Sequence, residues 1–185
     1  MTDSDSSTDS NAPDPRTSDA GNLPIPERSK TVSWHDPLAL AAIGRTMSGL
    51  DFLRKLAARE LPAPPIAELF GFGIEAVEPG DVVFTCRPDE STYNPIGVVH
   101  GGTACVLLDT VAGCAVHSTL PAGVGYTSLE IKVNYLRPIH GGIALTAHGW
   151  VTKPGRRAAF AEGDIRDPDG KVLATASSTC LVMGG

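Results

Sequence analysis

Charge is almost missing from the middle of this chain. Between Glu90 and Glu130 the only residue with a formal charge at neutral pH is Asp109, and the only imidazoles there are His100 and His117. Other absences narrow the function classes. The opening "MTDSDSSTDS" has neither a basic nor an apolar segment, so no secretory signal is expected. No uninterrupted apolar run reaches about 18 residues, which argues against a membrane span. The four cysteines, Cys86, Cys105, Cys114 and Cys180, lack CxxC spacing and sit in apolar segments, the pattern of reduced, core-filling thiols in a cytoplasmic protein. No GxSxG elbow occurs, which excludes an α/β-hydrolase. Positive charge is also short: 15 Lys and Arg against 21 Asp and Glu give a net charge of -6, and no nucleic-acid or anionic-membrane surface is expected.

What is present suits one soluble domain: 185 residues, 42% hydrophobic and 19% charged. Residues 1–30 are rich in Ser, Thr, Asp and Pro and cannot bury enough surface to offset their ordering entropy, so a disordered acidic tail is expected. Residues 31–64 form a helical extension in this reading. In the row 36–60, Leu40, Ile43, Met47, Leu50, Leu53 and Leu56 recur every three or four residues, Asp36-Pro37 is a helix start, "LPAPP" is a stop, and Gly44 and Gly49 predict a break or bend. The main domain spans 65–185. It begins with two β-rich runs around Glu78-Pro79-Gly80-Asp81, continues through the apolar segment 100–119, and ends in four strand-like runs joined by short turns, which predict an antiparallel meander. The fold class is α+β, one antiparallel sheet wrapped around one central apolar helix. Open sheet edges then invite a second copy.

The motifs "YNPIGVVHGGTACVLLDTVAG" and "TSLEIKVNYLRPIHGG" resemble those of the PaaI-type hotdog-fold acyl-CoA thioesterases over roughly residues 65–183. The resemblance implies a hotdog fold, a dimer or tetramer, an acyl-CoA substrate and no cofactor. It also implies that Asp109 is the general base or nucleophile and that the Gly101 amide holds the oxyanion. The alternatives are a non-catalytic acyl-CoA-binding hotdog regulator and a hotdog acyl-thioester hydratase.

The residues fit that chemistry on their own terms. Gly101 and Gly102 open a helix, where amides lack intrahelical acceptors and the dipole favours negative charge. Asp109 in apolar surroundings is strengthened as a base, and nothing charged near it in sequence neutralises it. If both lie in one helix, Gly101 and Asp109 are separated by about 12 Å, so one thioester carbonyl cannot meet both, and two subunits must share a site. Asn94 has an amide suited to holding water or a carbonyl, or to making a turn before Pro95. His100 positions the loop or packs structurally. In the family a hydroxyl at Ser128 lies near the base, whereas strict strand alternation turns Thr127 toward the helix, and the choice depends on a bulge. For CoA phosphates, Arg137 and the hairpin cations Lys153, Arg156 and Arg157 are the partners, with solvated turn charge as the alternative. A Cys114–His117 nucleophile lacks a third orienting group, and zinc would need further ligands.

Overall fold

The computed structural model describes residues 25–184. The expectation of a disordered tail over 1–30 therefore falls largely outside the described residues. The chain divides into two units, one ending at Lys30 and the other spanning Thr31–Gly185; residues 25–30 of the first form no helix or strand.

The 36–60 row forms two helices. Helix α1 (Pro37–Gly44) starts at Asp36, whose carboxylate accepts from Leu38 N–H at 2.8 Å. Helix α2 (Gly49–Ala57) starts at Ser48, which accepts from Asp51 N–H at 3.1 Å. The break has a packing cause as well as low helix propensity. A Cβ on Gly49 would stand 1.9 Å from the His117 carbonyl oxygen, and the Gly49 N–H donates to Leu120 O at 3.0 Å. A short α3 (Pro65–Phe70) follows the proline strap. It ends at Gly71, whose left-handed φ of 67° suits a residue without Cβ.

The remaining order is β1 (Phe72–Glu78), β2 (Asp81–Cys86), α4 (Gly101–His117), β3 (Gly125–Tyr135), β4 (Leu145–Lys153), β5 (Ala158–Arg166) and β6 (Val172–Met183). This matches the expected sequence of two strands, one helix and four strands. The pairing differs from a simple meander. All pairings are antiparallel, but the spatial order is β1-β2-β4-β5-β6-β3, so β3 crosses to the far edge and pairs with β6 instead of β4. The nine-residue connection 136–144 permits that crossing, since it is longer than a tight hairpin loop.

Helix α4 packs on β2, β3, β4, β5 and β6, which makes it the axis of the core. Leu107, Leu108, Val111, Ala112, Ala115 and Val116 are buried, and Leu108 has no exposure at all. Truncating Leu108 to Ala is worth about 2–5 kcal/mol for a side chain so placed. The helix comes close to the sheet because Gly149 has no side chain: a Cβ there would lie 2.4 Å from the Val111 carbonyl. Buried Ser118 secures the end of α4, accepting from the Gly80 N–H of the β1–β2 turn at 2.8 Å. The two sheet edges differ. Edge strand β1 is covered by α2 and α3, whereas no residue of β3 is buried and no strand lies beyond it.

Candidate active site

Asp109 sits half-buried in the middle of α4, eight positions after Gly101 in one continuous helix. It is not alone in its own chain, as the sequence suggested: Ser128 Oγ donates to Asp109 Oδ1 at 2.7 Å. The reason is a bulge that the sequence did not announce. The β3–β6 register shifts between Ser128 and Glu130, leaving Leu129 without a partner on β6. Tyr126 and Ser128 face the helix before the bulge, and Ile131, Val133 and Tyr135 face it afterwards. The alternation that would have turned Thr127 inward is thus broken, and Thr127 is exposed.

At the other end of α4, His100 is the N-cap, and its Nδ1 accepts from Gly102 N–H at 2.8 Å. Gly102 is therefore spent on the cap, a correction to its expected role beside Gly101. Gly101 N–H has no acceptor among the described residues. Its missing Cβ makes room for Tyr135, whose ring would lie 3.1 Å from such an atom and whose hydroxyl donates to the Gly101 carbonyl at 3.1 Å. Gly101, Tyr135 and Arg137 line a shallow cleft of about 340 Å³. The Arg137 guanidinium donates to the Val172 carbonyl.

Other expected residues are not gathered there. Asn94 Oδ1 accepts from the N–H groups of Ile96 at 3.1 Å and Val98 at 3.3 Å, the turn-forming use. Lys153 ends β4, and Arg156 and Arg157 follow it in the exposed β4–β5 turn; none of the three lines a described cavity.

A larger cavity of about 790 Å³ opens beside Asp109. Its walls include Leu53 and Leu56 of α2, Phe72 and Phe84 of the first hairpin, and Cys114 and Tyr126. Tyr126 is absent from the expected site residues, and for the 36–60 helix the sequence favours packing on the domain over a lid above a pocket. The signal was slight: the glycines at 113 and 125 flank nothing distinctive until folding places the Tyr126 hydroxyl 2.5 Å from where a Gly113 Cβ would be. Burial pushes the Tyr126 phenol well above its ordinary range and the Cys114 thiol up to about 12, so both stay protonated. His117 packs at tilted angles between Phe52 and Tyr126, with ring centroids 5.9 and 5.6 Å away, and burial lowers its pKa. A protonated Cys114 beside a neutral His117 among aromatic rings is not an activated nucleophile.

Comparison with known proteins agrees with this geometry. Residues 96–174 match the family model of the thioesterase superfamily. Human acyl-coenzyme A thioesterase 13 is 32% identical over 104 residues, 55% of this chain and 72% of that protein. A phenylacetic acid degradation-related protein from Ralstonia eutropha superimposes with a TM-score of 0.65 at 30% identity, covering 70% of this chain and 98% of that one. The Escherichia coli PaaI protein shares the fold, with a TM-score of 0.66 at 23% identity over 75% of this chain and 98% of that one. The helix wrapped by the sheet and these likenesses agree: the chain belongs to the thioesterase superfamily, as a PaaI-like hotdog-fold thioester hydrolase.

Proposed function

We propose that the chain hydrolyses acyl-CoA thioesters to the free acid and CoA at a site shared by two copies, with Asp109 of one copy facing Gly101 of the other. The observation that carries this is the pairing of an acid and an amide that cannot serve one carbonyl within one chain. Asp109 and the unaccepted Gly101 N–H are about 12 Å apart along α4, whereas a base acts within hydrogen-bond reach of its target. The bare β3 edge supplies a surface on which a second copy extends the sheet. A relative of the same fold from Streptococcus mutans, 26% identical with a TM-score of 0.58 over 61% of this chain and 89% of that one, was solved bound to acetyl CoA, which supports the choice of thiol.

In this reading Ser128 holds Asp109 through Oδ1, while Oδ2, which has no hydrogen bond from the described residues, takes a proton from water. The water oxygen bonds to the thioester carbon, and the negative charge passes to the carbonyl oxygen against the Gly101 N–H. Collapse of that intermediate breaks the C–S bond, and the departing CoA sulfur recovers the proton from Asp109. Arg137, beside the Gly101 cleft, is the cation best placed for a CoA phosphate; Lys153, Arg156 and Arg157 would serve only at the outer turn. Asn94 has its NH2 left for substrate, and His100 acts by fixing the cap that frees Gly101.

Complementation tests the shared site. Asp109→Asn and Gly101→Pro, which removes the amide at the first helix position, should each release thiol at least about a hundredfold more slowly than the native chain, with Gly101→Ala, which keeps the amide but adds the Cβ that meets Tyr135 at 3.1 Å, as the steric control. Co-expressed, the Asp109→Asn and Gly101→Pro chains should form mixed dimers containing one intact site and regain activity that neither parent has. Full activity in either parent, or no recovery in a verified mixed dimer, overturns the arrangement.

A further inference from the structure

We infer that α2 and the proline strap after it form the roof of the acyl chamber, and that Leu53, Leu56 and Ala57 set the size of the acyl group. The substrate class is then a thioester of an apolar acyl group larger than acetyl. This rests on the thioesterase reading and adds to it a role for the segment that the motifs leave unexplained.

One cavity reaches from Asp109 and Thr110 to α2, so an acyl group on the carbon that Asp109 serves has room to extend toward α2. Its volume of about 790 Å³ lies in the range of whole small-molecule sites, about 300–1,000 Å³, and is far more than a methyl group fills. Leu53, Leu56 and Ala57 present one helical face to it, and Phe72 and Phe84 stand opposite. Of the charged groups on its wall, Arg59 and Glu68 come from the strap and α3 and are exposed, and Asp109 is the reacting acid. No cation stands between the leucines and the phenylalanines, so a carboxylate stopped there would lose its water without gaining a partner, and only one that reached Arg59 would find one. At the end nearest β3, Tyr126 and Cys114 are protonated and engage one another, so this wall is closed to ions as well.

The roof is part of the fold. At its start Gly49 bonds to Leu120 and presses against His117, and Phe52 packs on the His117 ring. Further along, Arg54 pairs with Glu78 of β1 at 3.1 Å. A helix pinned to both the core helix and the first strand presents its inner face at a fixed height above Asp109. A side chain enlarged on that face shortens the chamber instead of lifting the roof.

The test uses the full chain and thiol release from acetyl-, butyryl-, octanoyl-, palmitoyl- and succinyl-CoA. For the native protein kcat/KM should climb about fourfold per added methylene until the chamber is full, and succinyl-CoA should fall below butyryl-CoA. Ala57→Phe should lower octanoyl turnover at least about tenfold more than acetyl turnover, and Leu56→Ala should move the optimum toward longer acyl groups. Calorimetric titration of non-hydrolysable S-alkyl-CoA thioethers gives a second readout without turnover. Affinity that rises with alkyl length and is cut by Ala57→Phe upholds the chamber even if no thioester is cleaved, an outcome that would remove the thioesterase reading alone. Length profiles that coincide in the native chain and in both variants, in hydrolysis and in thioether binding, overturn the inference.

Discussion

The two edges of the sheet meet opposite fates. At β1 the chain covers its own edge: α2 and α3 pack there, and Arg54 reaches Glu78 across the join. On the outer side of β3 no strand of the described residues pairs, and all eleven residues stay at least partly exposed, Leu129 at 60% and Tyr135 at 57%. An edge left this long, with Leu129 and Tyr135 exposed on it, invites pairing, whereas a covered edge can wall a cavity. In the proposed reading the covered edge walls a chamber within the protomer, and the open edge is where a second protomer would complete the chemistry.

The largest expected effect comes from blocking the open edge. Leu129→Lys changes an exposed residue of the protomer but puts a charge on the pairing surface. Light scattering should show a monomer, and thiol release should fall about a hundredfold or more, because the Gly101 amide leaves the site. A monomer that hydrolyses at the native rate would break the comparison at once. The covered edge is probed by Gly49→Ala, whose added carbon meets backbone at 1.9 Å. Unfolding in denaturant should show a loss of about 2 kcal/mol, with α2 displaced from α4. A smaller effect is expected at the point that links both edges to the acid: Ser128→Ala should lower kcat about tenfold, or 1.4 kcal/mol in the barrier, with little change in KM.

The smallest effect is on pH. Burial depresses the folded-state pKa of His117 below the ordinary value of about 6.5. The unfolded chain thus binds the proton first, and stability that is full above that ordinary value is lost as the pH falls through it toward the folded value. The thermal midpoint of the native chain should decline between pH 7 and pH 5, and that of His117→Gln should decline less.

Much of the architecture was legible because it is local. Turn residues and alternation marked the strands, and the apolar segment 100–119 could only be the core helix. What stayed illegible depended on partners far apart in sequence. Nothing in "YTSLEIKVNYLRP" says that it pairs with β6 and not with β4, since both strands offer similar alternation. The bulge at Leu129 has no glycine or proline to mark it, so Ser128 and Thr127 could not be ranked. Asp109 was legible as an isolated acid, but its hydroxyl partner was not, for the same reason. In α2 the leucine period was plain, yet the same period serves a helix lying on a core and one roofing a void. That the Gly102 amide is engaged was not legible either, because an N-cap histidine uses the amide that the helix end otherwise leaves open.

The bulge has one more consequence. It divides β3 into two halves of different phase, so a single strand meets the middle of α4 and its first turn separately. Residues ahead of Leu129 touch the acid and the far wall of the chamber; Tyr135 behind it stands over the first glycine of the helix. If the proposed roles hold, substitutions in the first half would change what is cleaved and substitutions in the second how the oxyanion is received, each on its own side of the bulge.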